Sequence, residues 1–213
     1  MFTESHNSKT LRQILALHCN ATPELIRDFE NAAVLRHVPK GEAVVRQGEV
    51  CDCFVFNKVG LFRVCNVTGN VEDTVLFGTS GDVFTSLHSY YASEPSIFSL
   101  IAVVDSKVWT VSYHKMKLLT EKYPELVVYI RNLLIEQTYG FEKRYLFFNN
   151  KSAEERFMNF LLMNFGSLRR APIKYISSIV PLKYIAQYLK ITPSTLSRLR
   201  KKFVSNESQS PHD

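Results

Sequence analysis

Val180 to Phe203, VPLKYIAQYLKITPSTLSRLRKKF, carries two short helical patterns separated by a tight turn. Ile185 and Leu189 stand four apart and share one face of the first helix. Ala186 between them is small enough for a second helix to cross closely. Thr192 suits an N-cap and Pro193 the first helical position. Leu196, Leu199 and Phe203 then form one apolar stripe. Ser194, Ser197, Arg198 and Lys201 occupy the opposite side, flanked by Thr195 and Lys202. This is the pattern of a helix-turn-helix, whose second helix a DNA major groove can accept. Lys190 stands where the turn of such a motif usually holds Gly. A left-handed non-Gly residue there costs on the order of 1 kcal/mol.

The chemistry of that outer side suits duplex DNA. Arg can donate two hydrogen bonds to guanine, Ser and Thr can bond several base edges, and Lys neutralises phosphate. A cationic helix face is commonly no more than a solvated face; the preceding helix, the turn and the cap together argue for more here. Charge supports them. The 213-residue chain carries +6, but residues 143–202 hold 13 Lys and Arg against two acids, Glu154 and Glu155, a balance of +11. The remaining 13 basic and 18 acidic residues leave −5 elsewhere. Such segregation points to a polyanion partner for one end of the molecule. No lipidation signal or polybasic amphipathic anchor makes a membrane surface that partner.

Apolar residues make up 46% of the chain, enough for substantial cores, in one or two domains. No run of 18 apolar residues predicts a membrane span, and the start Met1-Phe2-Thr3-Glu4 does not read as a signal peptide. Four cysteines, Cys19, Cys51, Cys53 and Cys65, lack the density of a disulfide framework, so a reducing cytoplasm is the expected home.

Leu11 to about Val34 reads as helical, with Leu11, Ile14, Leu15, Leu25, Ile26 and Phe29 apolar. From Val38 to Val111 short apolar runs alternate with turns such as Lys40-Gly41-Glu42, Gln47-Gly48, Val59-Gly60, Thr68-Gly69-Asn70 and Gly81-Asp82. The runs are Ala43–Val45, Cys53–Phe56, Leu61–Val64, Thr74–Phe77 and Ile97–Val104. Strands spaced about ten residues apart with Gly turns predict a barrel or jelly roll. Pro124 to about Asn149 is a long helix. Val127, Ile130, Leu134, Gln137, Phe141, Arg144 and Phe148 form a seam of coiled-coil spacing, read as a homodimer helix. Ser152-Ala153-Glu154-Glu155 is a capping box for the next helix, whose buried face takes Phe157, Phe160, Leu161 and Phe165.

β-roll, long helix and helix-turn-helix, in that order over about residues 10–203, resemble the Crp/Fnr family of bacterial transcription regulators. Gly60-x-x-Arg63 and Ser152 to Arg156 add to the turn motifs already quoted. The resemblance implies an α+β fold in three parts. These are a cyclic-nucleotide-binding-like sensor roll (1–122), a dimerisation helix (123–150) and a helix-turn-helix DNA-binding domain (151–213). It implies a homodimer on double-stranded DNA, a small-molecule effector, and RNA polymerase as a candidate partner. Its base-reading positions fall on Pro193, Ser194 and Arg198, where only the Arg matches the family's common readers. Candidate base readers are therefore Ser194, Thr195 and Arg198; candidate phosphate contacts are Thr192, Lys183, Lys201 and Lys202. The candidate effector pocket takes Gly81, Asp82, Val83, Ser96, Ile97 and Phe141.

That pocket departs from members that bind cyclic AMP. Near Pro95-Ser96-Ile97 no Arg stands to pair the cyclic phosphate, and burying that charge unpaired is costly. Phe141 and Glu142, expected to face the purine, are also atypical. Cyclic AMP is not expected. With only Cys19 near the N-terminus an iron–sulfur cluster is not expected either, and Cys51-x-Cys53 is too short for a zinc knuckle. These thiols read as buried structural cysteines, with a redox role as the alternative, and His88 and His114 are isolated. Family members often add a β-wing after the recognition helix; here any such strands must precede it, near Ile173 to Val180. Ser205 to Asp213 reads as a disordered tail. No Gly-x-Ser-x-Gly elbow, P-loop, His-Glu-x-x-His or paired carboxylates point to an enzyme. The alternative to a DNA-binding regulator is a ligand-binding module whose basic end docks an acidic protein.

Overall fold

The computed structural model describes residues 8–17, 19–163 and 173–207. Two short helices open it, α1 (Leu11–Leu15) and α2 (Pro23–Ala32), where the sequence predicts one helical stretch running to Val34. The break has a local cause. Pro23 pushes the preceding residue out of the helical region, and Thr22 caps a fresh start by accepting the Leu25 N–H at 3.2 Å. Val34 itself already belongs to a strand.

Eight strands follow: β1 (Val34–Val38), β2 (Ala43–Val45), β3 (Cys53–Val59), β4 (Phe62–Thr68), β5 (Val71–Gly78), β6 (Val83–Phe84), β7 (Ser99–Ala102) and β8 (Ser106–Ser112). They form two antiparallel four-stranded sheets, ordered β1-β8-β3-β6 and β2-β7-β4-β5. Phe62, Phe84, Val55, Leu100 and Val108 fill the space between the sheets. Gly60 sits at φ +136 in the turn from β3 to β4, where any Cβ would run into Ser106. Gly78 is needed for a different reason: a Cβ there would run into the tip of the Phe84 ring, which is part of the core between the sheets.

Helices α3 (Leu87–Ala92) and α4 (Tyr113–Lys122) decorate the roll, and α5 (Pro124–Asn150) is the expected long helix. Its first half closes a second core, in which Tyr123, Leu126, Tyr129 and Leu133 meet α1, α2 and the outer side of the first sheet. Beyond it come α6 (Ala153–Met163), α7 (Ile173–Ile179), α8 (Leu182–Leu189) and α9 (Pro193–Glu207). The predicted box opens α6: the Glu155 N–H donates to Ser152 Oγ at 3.2 Å and the Ser152 N–H to the Glu155 carboxylate at 2.8 Å. Phe157 and Phe160 are buried and Leu161 half-buried; Phe165 lies outside the described residues.

Two expectations near the end are corrected. Ile173 to Ile179 is helical and supplies no wing strands. Ile173, Ile176 and Val180 recur at helical spacing, and the last two are buried against α8 and α9, so packing overrides the β-branched composition. Ser205 to Glu207 continue α9, so only 208–213 of the predicted tail lie outside the described residues.

Candidate nucleic-acid interface

Helices α8 and α9 form the predicted helix-turn-helix. Ile185, Ala186 and Leu189 on α8 face Leu196 and Leu199 on α9, all buried. The turn between them is left-handed at Lys190, φ 54 and ψ 47. The Lys190 N–H donates to Gln187 O and the Ile191 N–H to Ala186 O, both at 3.1 Å, which satisfies the end of α8. Thr192 Oγ1 then accepts the Thr195 N–H at 3.2 Å and caps α9, with Pro193 as its first residue. Packing one side of α9 leaves Ser194, Ser197, Arg198, Lys201 and Lys202 exposed on the other, with Thr195 half-buried.

The candidate DNA contacts are not equally available. Arg198 and Lys183 extend into solvent, Lys183 with its ammonium over the Tyr184 ring. Lys202 is held by Glu154 at 2.7 Å. The Thr192 hydroxyl is committed to its cap and to the Ser194 and Thr195 hydroxyls, at 2.8 and 2.9 Å. Arg200 turns inward and donates to Ser177 Oγ at 3.2 Å.

The residues assigned to an effector pocket have differing surroundings. Asp82 folds back to accept the Thr79 N–H at 2.6 Å and closes its own turn. Burial nevertheless lifts its carboxyl above the ordinary range. Gly81 lies against the Lys9 stem, and Val83 is buried in the core shared with α1 and α5. Ser96 Oγ donates to Phe98 O at 2.8 Å. Ile97 and Phe141 are 70% and 53% exposed. Three open grooves run along α5, one of them bordered by Ala16 and Asn20 and another reaching the start of α6. The assignment of these six came from the resemblance to cyclic-nucleotide-binding members.

Helix α5 also divides differently from its predicted seam. Val127 and Phe141 are exposed, and Ile130 and Leu134 border an open groove with Ile135 and Tyr139. Gln137 instead donates to Val83 O at 3.1 Å. Arg144 stacks on Tyr188 at 4.1 Å and Phe148 packs edge-on against the same ring. These three residues serve their own chain, while Val128, Ile135, Tyr139, Tyr145 and Leu146 add apolar surface to the outer side.

Cys19, Cys51, Cys53 and Cys65 are free thiols. A hydrogen bond from Cys53 pulls buried Cys51 down to about 6, while burial and the same pairing push Cys53 up. Among the described residues no cluster of three His, Cys, Asp or Glu could hold a metal ion. Nor is any described helix long and apolar enough to cross a membrane.

Sequence reasoning missed how the helix-turn-helix is held. Tyr188 touches Phe77 of β5, Phe148 of α5 and Phe160 of α6, with centroids 5.4 to 6.0 Å apart. Arg63 of β4, 4% exposed, pairs with Glu72 and lies 3.8 Å above the Tyr184 ring. Its one sequence signal is a charge inside the apolar run Leu61-Phe62-Arg63-Val64.

The described architecture is thus a two-sheet roll, a long helix and a packed helix-turn-helix. Residues 35–123 match the cyclic nucleotide-binding domain family. FixK2 from Bradyrhizobium japonicum is 17% identical with a TM-score of 0.67, covering 82% of this chain and 86% of its own. The c-di-GMP responsive global regulator CLP of Xanthomonas campestris is 13% identical with a TM-score of 0.68, covering 90% and 96%. A protein from Eubacterium rectale described as a transcriptional regulator of the Crp/Fnr family is 17% identical with a TM-score of 0.65, covering 88% and 85%. No curated protein sequence matches the chain. Residues 35–123 are thus similar to cyclic nucleotide-binding domains, and the chain shares the fold of these solved Crp/Fnr-type structures.

Proposed function

We propose that this protein is a sequence-specific DNA-binding transcription regulator acting as a homodimer. Its parts are a sensor roll (1–122), a dimer helix (123–150) and a DNA-binding domain (151–213). The observation that carries the reading is α9 itself: its apolar stripe is buried, and Ser194, Ser197, Arg198 and Lys201 are presented outward on a capped helix. Arg198 reads a base edge, Ser194 and Thr195 adjust the approach, and Lys183 and Lys201 neutralise phosphate. Lys202 joins them only after leaving Glu154. The dimer forms through Val127, Ile130, Leu134 and Phe141, with Ile135 and Tyr139 beside them. RNA polymerase is the protein partner such a regulator engages.

Cyclic AMP is not the effector proposed, because no Arg stands near Ser96 and Ile97 to pair its phosphate and Asp82 is engaged in its own turn. An effector acts only by favouring one arrangement of the long helices over another. Titration of duplex binding against salt tests the reading. Arg198→Ala should lose discrimination between sequences, and Lys201→Ala should weaken all sequences alike and lower the salt slope by about 1. Equal effects from both substitutions would remove Arg198 as a base reader.

A further inference from the structure

Strand β5 is the outermost strand of its sheet, yet its exposed edge is not left to solvent. Helix α8 lies along it. The Gln187 side chain bridges the two: its amide N–H donates to Glu72 O at 2.8 Å, and its carbonyl accepts the Thr74 hydroxyl at 2.7 Å. Arg63 braces the same spot from β4, reaching Thr74 Oγ1 at 3.3 Å, Glu72 and the face of Tyr184. Asp73, between those two β5 residues, pairs with the Lys190 ammonium at the turn of the helix-turn-helix. From the far side Arg144 donates to Tyr188 O at 3.5 Å and Arg156 to Lys190 O at 3.4 Å.

Lys190 is the informative member. It occupies a left-handed position that glycine fills with less strain, and its side chain is what reaches Asp73. A merely permissive turn has no use for that side chain.

We infer that Lys190, Gln187 and their partners Asp73, Glu72, Thr74 and Arg63 are positioning residues that fix the angle of the DNA-reading helix relative to the roll. The inference rests on the DNA-binding reading for its consequence, but not for its existence: the latch can be measured without DNA. Because the two reading helices of a dimer must match half-sites about one helical turn apart, a fixed head angle sets which spacing is accepted. The Lys190–Asp73 pair is half-exposed and sits beside the apolar Tyr188–Phe77 contact, so it trims the head angle rather than holding the head alone.

Charge exchange tests this on the full chain. Lys190→Asp and Asp73→Lys each replace the pair with like charges, and the double variant restores it in reverse. Asp tolerates the left-handed turn. In each single variant, backbone amides of 182–191 and 71–78 should exchange hydrogen roughly fivefold faster, with the double variant returning toward the parent. On palindromic duplexes whose half-sites are moved by single base pairs, the parent should show a sharp spacing optimum. The single variants should flatten it and the double variant restore it. Gln187→Leu should flatten it too. Unchanged exchange and unchanged spacing preference in the single variants would overturn the inference. So would a loss that the reversed pair does not rescue, which marks plain misfolding. If the parent binds no duplex at all, the DNA-binding reading fails, and the exchange arm alone still decides whether the latch exists.

Discussion

Two sets of cations in the same molecule behave in opposite ways. Arg63, Arg144, Arg156 and Arg200 turn inward, onto Tyr184, Tyr188, Phe148 and Ser177. Arg198, Lys183 and Lys201 stand in solvent on one side of the helix-turn-helix. The positive balance of residues 143–202 is therefore not a map of a ligand surface. Part of it is structural: Arg144 and Arg156 lie over aromatic rings and each gives some of its donors to helix-end carbonyls. Burial even lowers the pKa of Arg144. What recommends the outward set as a reading surface is its exposure to solvent, not its charge.

The sharpest way to break the comparison is to remove one inward cation. Arg63→Ala leaves Glu72 and the Tyr184 face without their partner and should cost about 3 kcal/mol, seen as a lower denaturant midpoint at unchanged slope. A cost near zero would make Arg63 equivalent to a surface residue. The outward counterpart, Arg198→Ala, should leave that midpoint within about 0.5 kcal/mol while removing about 1–3 kcal/mol of discrimination between duplexes. Lys190→Gly should be nearly silent in stability, within about 0.5 kcal/mol, because relief of the left-handed turn offsets loss of a half-exposed ion pair. Amide exchange in α8 should nevertheless rise.

The smallest effect concerns pH. The Ser152 N–H, with Lys151 beside it, holds the Glu155 carboxylate down to about 2. A depressed carboxylate adds stability above its unfolded pKa, near 4.3, and loses it as pH falls toward 2. Far-ultraviolet ellipticity should therefore fall slightly across that window, and Glu155→Gln should flatten this component of the fall.

The helix-turn-helix was legible because its signals are local. A cap, a proline at the first turn and apolar residues at three- and four-residue spacing act within one or two helical turns. The capping box of α6 was legible for the same reason. The roll was readable as a class from its glycine turns, but β1, β6 and β8 escaped, as did α3 and α4. Val34 to Val38 and Ser106 to Ser112 are strands because they pair with each other across some seventy residues, in register from Val34–Thr110 to Val38–Ser106. No short window holds that information. The seam of α5 misplaced Gln137, Arg144 and Phe148 because spacing says which residues share a stripe, not which neighbour takes it.

By itself the sequence determined the order of parts, the capped reading helix with its outward Ser194 and Arg198, and the unusual lysine in its turn. Tertiary structure alone decided that Phe84 packs against Gly78, that Asp82 closes its own turn, and that Gln187 and Lys190 contact β5. The reason is range: capping and periodicity act over a few residues, while closing a cavity or pairing Lys190 with Asp73 depends on chain segments brought together only by folding.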